Sequence, residues 1–294
     1  RRRLRVARRF GRRDHRGRGG AMGPVSDGTT PVIKAEGLTH AYPDGTTAID
    51  GVDLTVRAGE RIAVIGANGS GKSTLQLLLG GLIDPTAGSV EYFGKTTDAE
   101  AVRERLGVLL QNPEDYLFNT TVREDIEYGP AQLGQSRETA ARRVATLADR
   151  LGLDGLLDRP PFRLSGGEKQ RAAVASVLAF EPEVLLLDEP FGAVDATYRR
   201  RIRDLIADHE GTVVLFTPSL ALVPAVADRV VLVGRDGSIA ADGGVRSVLT
   251  DRSLLADHGL RPPQTVRLFD GLVADDELPL TITAARQYLR DRLS

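Results

Sequence analysis

Short apolar runs alternate with segments of helical periodicity along most of the chain. Runs typical of β-strands occur at 32–39, 48–56, 61–65, 106–110, 184–187, 213–216 and 229–233. Residues 73–79 and 167–180 have helical spacing, residues 121–158 predict two or three more helices, and a helix is expected before each of the last two strands. This alternation predicts an α/β fold with a mainly parallel sheet, into which a helical subdomain of about 112–180 is inserted.

The pattern changes again after residue 262. Pro262 and Pro263 interrupt the chain, and one amphipathic helix is predicted from the spacing of Ile282, Ala285, Leu289 and Leu293. That helix has two interpretations, packing on its own domain or contact with a second subunit. We therefore divide the chain into a tail at 1–21, a main domain at 22–255 and a C-terminal extension at 256–294.

The charge is unevenly distributed. The 294 residues carry 39 Lys and Arg against 40 Asp and Glu, yet ten of the Arg lie in residues 1–20, so the remainder is acidic. We interpret 1–21 as a disordered tail or as sequence upstream of a start at Met22, and a basic arm for anionic lipid or nucleic acid is the alternative. The absence of Cys excludes disulfides and thiolate sites and favours an intracellular protein. No apolar run reaches the roughly 18–20 residues that cross a bilayer.

A glycine-rich segment lies between the strand predicted at 61–65 and the helix predicted at 73–79. It reads Gly66-Ala67-Asn68-Gly69-Ser70-Gly71-Lys72-Ser73-Thr74, which satisfies the phosphate-loop pattern in the required strand and helix context. Backbone N–H groups of such a loop surround phosphates, and the helix N-terminus adds positive potential. Lys72 is expected to contact the phosphates and Ser73 to bind Mg²⁺. A glycine-rich turn with an incidental lysine is the alternative.

Two carboxylates, Asp188 and Glu189, follow the apolar run at 184–187. In doubly wound sheets such a strand end emerges beside the phosphate loop. We therefore expect Asp188 to hold the hydration shell of Mg²⁺ and Glu189 to act as general base toward the attacking water. Taken alone, an Asp-Glu pair after a strand is as often an exposed cap.

The helix at 167–180 begins with a serine cap and two glycines, in the sequence Leu164-Ser165-Gly166-Gly167-Glu168-Lys169-Gln170. The order of phosphate loop, capped helix and acidic strand end resembles the ATP-binding-cassette ATPases over about residues 32–250. The resemblance implies a P-loop NTPase core with an N-terminal antiparallel β subdomain and the cofactors ATP and Mg²⁺. It also implies a dimer, in which Ser165, Gly166 and Gly167 of one subunit cover the ATP held by the other.

Three further residues take their roles from this resemblance. Tyr42 lies where the family stacks an aromatic ring on adenine, although a tyrosine in a turn is as often only packing. Gln111 resembles the glutamine that senses Mg²⁺ and the γ-phosphate and hinges the helical subdomain. Asp195 resembles the residue of the loop that signals across the dimer, with neighbours that depart from the common form.

One position departs from the family pattern in a way that affects chemistry. The family usually has a histidine after the strand at 213–216, where its imidazole contacts the γ-phosphate and orients the water. Here the position is Pro218, which has neither a titratable nitrogen nor a backbone N–H. We expect ATP binding to be retained and hydrolysis to be slow or dependent on a partner.

Within the family, residues 111–118, 121–126 and 128–130 are similar to the ATPase subunits of energy-coupling-factor importers, which take up cobalt, nickel or vitamins. Segments 259–264 and 278–281 resemble the C-terminal region that helps to join two ATPase subunits. The resemblance implies a second ATPase subunit, a transmembrane coupling subunit and a substrate-binding membrane subunit, with this chain at the cytoplasmic face of the membrane. An exposed cluster of Tyr116, Leu117 and Phe118 is expected to dock the transmembrane partner.

Three other functions compete with transport. A DNA-repair or chromosome-organising ATPase would need a long heptad segment between Gln111 and Ser165, and only 53 residues separate them. A translation-factor ATPase normally has two cassettes in one chain, and one phosphate loop is present. No nucleic-acid partner is therefore expected. A nucleotide-sensing subunit with little turnover is kept open by Pro218.

Overall fold

Two β-sheets and the helices packed on them form the protein, of which the computed structural model describes residues 31–95 and 99–293. The interpretation of residues 1–21 lies outside these ranges. The strands are β1 (Pro31–Ala41), β2 (Thr47–Arg57), β3 (Arg61–Ile65), β4 (Ala87–Tyr92), β5 (Leu106–Leu109), β6 (Val184–Asp188), β7 (Thr212–Phe216), β8 (Arg229–Val233) and β9 (Ile239–Gly244). The helices are α1 (Lys72–Leu79), α2 (Val122–Gln132), α3 (Arg137–Leu151), α4 (Gly166–Leu178), α5 (Ala196–Ala207), α6 (Val245–Thr250), α7 (Arg252–Asp257), α8 (Gln264–Phe269) and α9 (Ile282–Leu293).

The smaller sheet is antiparallel, in the order β2-β1-β4, and the larger has the order β5-β6-β7-β3-β8-β9. In the larger sheet every neighbouring pair is parallel except β8 with β9. The strands β3, β6 and β7 are Val/Ile/Leu-rich and almost completely buried, as expected of parallel strands covered on both faces. The predicted α/β class with an N-terminal antiparallel sheet is therefore confirmed.

Helix α1 lies between the two sheets. Its Leu75, Leu78 and Leu79 share one apolar cluster with residues of β1 and β2 on one side and of β3, β6 and β7 on the other. Burial of apolar surface on both sides fixes this helix relative to the sheet ends. The N-terminus of α1, which carries the phosphate-loop residues, is therefore held at the carboxyl edge of the larger sheet.

The inserted helices have strong local start signals. Thr121 caps α2 and forms a capping box with Glu124, and Ser165 caps α4 and forms another with Glu168. Their apolar residues join α5 and the second face of the larger sheet in a separate core that includes Val144, Leu151, Val174, Leu185 and Ile202. The helical segment therefore packs on the edge of the sheet that contains β5 and β6.

Several expectations from the sequence need correction. Only a short 3₁₀ turn, Val223–Ala225, comes before β8, where a helix was predicted. Strands β4 and β9 were not predicted; both lie at a sheet edge with most side chains partly or fully exposed, and neither has a clear apolar run. The domain boundary at 255 stays a prediction; helix α7 spans this position, and its Leu255 is fully buried in a cluster with residues of β3 and β8.

None of the helices within 31–95 and 99–293 is both long enough and apolar enough to cross a bilayer.

His209 gives the fold an acid-sensitive point. Its ring is largely buried, and burial together with the nearby Arg61 charge lowers its pKa to about 4. In the unfolded chain the same ring takes up a proton near pH 6.5. The unfolded state thus binds more protons between these two pH values. The contribution of His209 to the free energy of unfolding is therefore complete above about pH 6.5 and is lost as the pH falls toward 4.

We expect His209→Gln to make the fall in Tm between pH 7.5 and pH 5 shallower than in the wild type, because the buried ring no longer resists protonation. Thermal unfolding followed by circular dichroism measures this, and His258→Gln controls for the loss of a histidine elsewhere. An equally steep fall in both variants would contradict the assignment.

Candidate functional site

The phosphate loop is shaped for an anion by its backbone. Gly71 ends the loop with a φ of 92°, and a Cβ there would lie 2.2 Å from the carbonyl oxygen of Ala48. Only glycine fits this close approach. Gly71 is also the N-cap of α1 and supplies no side-chain cap, so the first N–H groups of the helix are left for another acceptor, as at phosphate-binding helix ends.

Lys72 lies inside this loop. It is 8% exposed, and its Nζ donates to the carbonyl oxygens of Gly66 and Ala67 at 3.0 and 2.9 Å. Burial lowers the pKa of Lys72, and the charges of Asp188 and Glu189 oppose that shift. The ammonium group of Lys72 is therefore held at the N-terminus of α1. It faces Asp188, the last residue of β6, and Glu189, which follows it.

Ser73 and Asp188 meet directly. The Ser73 hydroxyl donates to Asp188 Oδ2 at 2.6 Å, although the two residues are 115 positions apart. Burial raises the pKa of Asp188, while the Ser73 hydrogen bond and the Lys72 charge act in the opposite direction. The structure thus brings together the two predicted metal-binding oxygens from separate elements.

Glu189 takes an unusual backbone conformation as the chain leaves β6. Its φ is 45°, in the left-handed region that side-chain-bearing residues seldom adopt. Its N–H donates to the Phe216 carbonyl at 3.0 Å, and the N–H of Thr217 donates to the Val64 carbonyl at 3.0 Å. Strand β7 therefore lies between β6, which leads to Glu189, and β3, which leads into the phosphate loop. Pro218 comes two residues after the end of β7.

Gln111 follows β5, which pairs in parallel with β6 so that Leu109 lies opposite Leu187. The side chain of Gln111 is exposed at the same sheet edge as Asp188. The strand end is fixed by Tyr116, whose hydroxyl accepts from the Leu110 N–H at 2.8 Å and donates to the Val108 carbonyl at 2.5 Å.

Tyr116 is consequently not part of an exposed cluster, which corrects that expectation. Burial raises the pKa of its hydroxyl strongly, and Tyr116 and Leu117 both pack against the core of the helical segment. Phe118 is the member of the predicted cluster that is exposed, at 52%.

The remaining phosphate-loop residues and Tyr42 occupy distinct positions. Tyr42 is partly exposed, and its hydroxyl lies 2.9 Å from Thr74 Oγ1, so the ring lies beside the helix that begins the loop. Asn68 and Gly69 are exposed at the tip of the loop, and Ser70 is buried beneath it. The structure thus brings the predicted adenine contact and the loop together.

The second anion-binding segment lies on another element. Ser165 caps α4, and its own backbone N–H donates to Glu168 Oε2 at 2.7 Å. A Cβ on Gly167 would lie 2.8 Å from the Ala193 carbonyl, so the start of α4 packs on the loop after Glu189. Asp195 caps α5 by accepting from the N–H groups of Thr197 and Tyr198.

Comparisons with known proteins agree with this arrangement. The family model described as ABC transporter matches residues 49–192. The energy-coupling factor transporter ATP-binding protein EcfA of Methanosphaera stadtmanae is 36% identical over 278 residues, which are 90% of this chain and 100% of the relative. The cobalt import ATP-binding protein CbiO of Rhodobacter capsulatus is 42% identical over 247 residues, which are 81% and 88% of the two chains. This chain belongs to the ABC transporter ATP-binding family.

Two solved structures have the fold of this ABC ATPase. The cbiO1 protein of Clostridium perfringens, described as part of the ABC transporter complex cbiONQ, has a TM-score of 0.66 and 30% identity over 82% of this chain and 99% of its own. MJ0796, described as a dimeric bacterial ABC transporter cassette, has a TM-score of 0.67 and 27% identity over 72% and 98%. The predicted family and the predicted ATPase activity are confirmed.

The donor chemistry of this ABC ATPase suits Mg²⁺. Ser73, Asp188 and Gln111 offer hard oxygen ligands at one sheet edge, beside a loop shaped for phosphate. Within the described residues no group of three His, Cys, Asp or Glu could hold a metal ion. A site with so few protein ligands fits Mg²⁺, which is usually bound by one or two carboxylates together with substrate phosphates and water.

One polar residue near this site was not predicted. Gln76, in α1, is buried and donates to backbone carbonyls of both β5 and β6. The available signal was a single amide within the leucine-rich run from Leu75 to Leu79, three positions after Ser73. That spacing places Gln76 on the same face of the helix as Ser73.

Proposed function

We propose that this ABC ATPase binds and hydrolyses ATP to power a membrane importer of the energy-coupling-factor type, for cobalt, nickel or a vitamin. The observation that carries the ATPase part is the contact of Ser73 with Asp188 beneath the phosphate loop. The importer part is supported by similarity to EcfA over the whole of that relative.

The site residues take the following roles in this proposal. The loop from Gly66 to Thr74, with Lys72, holds the phosphates, and Tyr42 stacks on the adenine. Ser73, Asp188 and Gln111 hold Mg²⁺, which when bound neutralises phosphate charge. The Glu189 carboxylate accepts the proton of the attacking water. The left-handed backbone at Glu189 supports this role, because strained residues are concentrated at active sites.

A second ATPase subunit completes the proposed site. Gly166 and Gly167 approach Ala193 of their own chain at the start of α4, directly after Ser165. We assign Ser165, Gly166 and Gly167 to the ATP held by the other subunit. Asp195, at the start of α5, would carry the signal between the two sites. The dimeric description of MJ0796 supports this arrangement, in which the partner is either an identical or a related chain.

The C-terminal helix is proposed as part of the same dimer contact. Ala285 packs inward, in a small core with Val266, Phe269 and Leu278. Ile282 and Leu289 point away from that core and are exposed, at 66% and 44%. One face of helix α9, with Ala285, thus packs on its own chain. The other face, with Ile282 and Leu289, is apolar and exposed, which supports a role in joining two subunits.

The transmembrane coupling subunit is proposed to dock at Phe118 on the cytoplasmic face of the membrane. The N–H groups of Phe118 and Asn119 both donate to Asp125 Oδ1, at 2.9 and 2.8 Å, which fixes the loop. The Phe118 ring meets Tyr128 edge-on, with centroids 4.9 Å apart. An apolar ring presented on a fixed loop is typical of a binding anchor.

We expect Phe118→Asp to lower recovery of the membrane subunit with the tagged ATPase about 30-fold or more, because a hot-spot aromatic contributes about 2 kcal/mol or more to binding. Affinity purification from detergent-solubilised membranes, with quantitative mass spectrometry, measures this recovery. Ala145→Asp, on an exposed position of α3, is the matched control and should leave recovery unchanged. Co-purification of ribosomes or DNA instead of a polytopic membrane protein would contradict the transport function.

A second candidate function is a nucleotide-sensing subunit with little turnover. The observation that favours it is Pro218, at a strand end between Glu189 and the phosphate-loop strand. This candidate shares the ATP site but predicts that binding, not hydrolysis, drives any conformational change.

A further inference from the structure

Gln76 is a buried amide in a leucine-rich helix. It lies in the middle of α1, three residues after Ser73, and is 1% exposed. Its neighbours Leu75, Leu78 and Leu79 belong to the apolar core between the two sheets. A leucine of similar volume would serve the packing at this position, so the amide calls for a separate physical reason.

The amide nitrogen of Gln76 contacts two strands at once. Nε2 donates to the carbonyl oxygen of Leu109 at 2.7 Å and to that of Leu186 at 3.0 Å. Leu109 is the last residue of β5, two positions before Gln111, and Leu186 lies in β6, two positions before Asp188. One side chain therefore connects the helix of Ser73 with β6, which ends in Asp188, and with β5, which leads to Gln111.

The helix is also packed unusually close to these strands. Gly80 follows α1, and a Cβ there would lie 3.1 Å from Val108 Cγ2 and 3.6 Å from Leu186 Cδ1. Absence of a side chain at Gly80 thus allows close approach to the same two strands. Small changes in this contact are transmitted to the strand ends, because packed interiors are not readily compressed.

The other end of the amide has no partner within the described residues. Gln76 Oε1 is buried and accepts no hydrogen bond. A buried acceptor without a donor costs stability, and an apolar residue would avoid this cost. The donor contacts to Leu109 and Leu186 are therefore what distinguishes glutamine from leucine at this position.

We propose that Gln76 is a positioning residue that holds Ser73, Asp188 and Gln111 in mutual register for binding Mg²⁺ together with ATP. It touches none of the reacting atoms and acts through the backbone of β5 and β6. This inference rests on the proposed ATPase function. Residues that hydrogen-bond directly to metal ligands change metal affinity by about 10- to 100-fold when they are replaced, and we expect the lower end for Gln76, which acts through strand backbone.

The test compares the affinity for ATP with and without Mg²⁺ in the wild type and in Gln76→Leu, by isothermal titration calorimetry. We expect unchanged affinity for metal-free ATP and a gain on adding Mg²⁺ that is about ten-fold smaller in the variant. Amide hydrogen exchange of residues 106–111 should also be faster in the variant. Thr265→Val removes another buried oxygen without a partner, far along the chain in α8, and should change neither measurement.

The outcomes separate the possible roles. A lower Tm with a wild-type gain from Mg²⁺ would make Gln76 merely structural and overturn the inference. If the wild type itself binds no ATP, the proposed function fails instead.

Should Gln76→Leu not fold, Gln76→Glu keeps the inference testable. A carboxyl group donates a hydrogen bond to these carbonyls only when it is protonated. The gain from Mg²⁺ in this variant should therefore be larger at pH 6 than at pH 8, relative to the wild type. A gain equal to that of the wild type at both pH values would overturn the inference.

Discussion

Replacement of Glu189 by glutamine is expected to slow ATP hydrolysis about 100- to 1,000-fold, the usual contribution of a general base, while ATP affinity is retained. Glutamine has the same shape as glutamate and keeps the backbone contact to Phe216. It has no carboxylate to accept the proton of the attacking water. Lys72 keeps its hydrogen bonds to Gly66 and Ala67, and Ser73 keeps its contact with Asp188, because none of these bonds involves Glu189; nucleotide binding should therefore be retained.

Single-turnover hydrolysis of radiolabelled ATP measures the chemical step, and equilibrium binding of a fluorescent ATP analogue measures affinity. Glu210→Gln makes the same exchange at an exposed glutamate after α5 and should hydrolyse ATP at the wild-type rate. Retention of more than about a tenth of the wild-type rate by Glu189→Gln would remove Glu189 from the role of general base.

Elements at the centre of the fold could be predicted from the sequence, whereas the edges could not. The predicted bounds of strands Arg61–Ile65 and Arg229–Val233 agree with the structure, because four consecutive apolar residues between an arginine and a glycine are typical of a short buried strand. Strand β4 begins with Ala87, Gly88 and Ser89, all exposed, and its sequence has neither an alternating pattern nor an apolar run. Its pairing with β1 is a tertiary contact that no local pattern specifies.

The candidate site follows the same division. The phosphate loop and the pair Asp188 and Glu189 were predictable because each is a continuous segment with its own chemistry. The role of Gln76 depends on Leu109 and Leu186, which are 33 and 110 positions away. The hydroxyl of Tyr116 likewise finds its partners only after the chain has turned back on β5. Such contacts become visible only when the strands are assembled.

The departure from the family pattern that the resemblance indicates at Pro218 is testable by placing a histidine there. We expect Pro218→His to raise the ATPase rate of the assembled complex about ten-fold or more, within the range of positioned acid–base groups. The position follows β7, whose neighbours β6 and β3 lead to Glu189 and to the phosphate loop. An imidazole there can donate and accept hydrogen bonds near neutral pH, which proline cannot.

Pro218→Ala is the matched control, because it removes the proline ring without supplying an imidazole. Its ATPase rate should stay close to that of the wild type, which would assign the gain in Pro218→His to the imidazole and not to a relaxed backbone. Adding Glu189→Gln to Pro218→His should abolish the gain, since the histidine orients a water that Glu189 must still deprotonate. If Pro218→His binds ATP and hydrolyses it at the wild-type rate, Pro218 does not limit hydrolysis. The nucleotide-sensing function would then lose the observation that favours it.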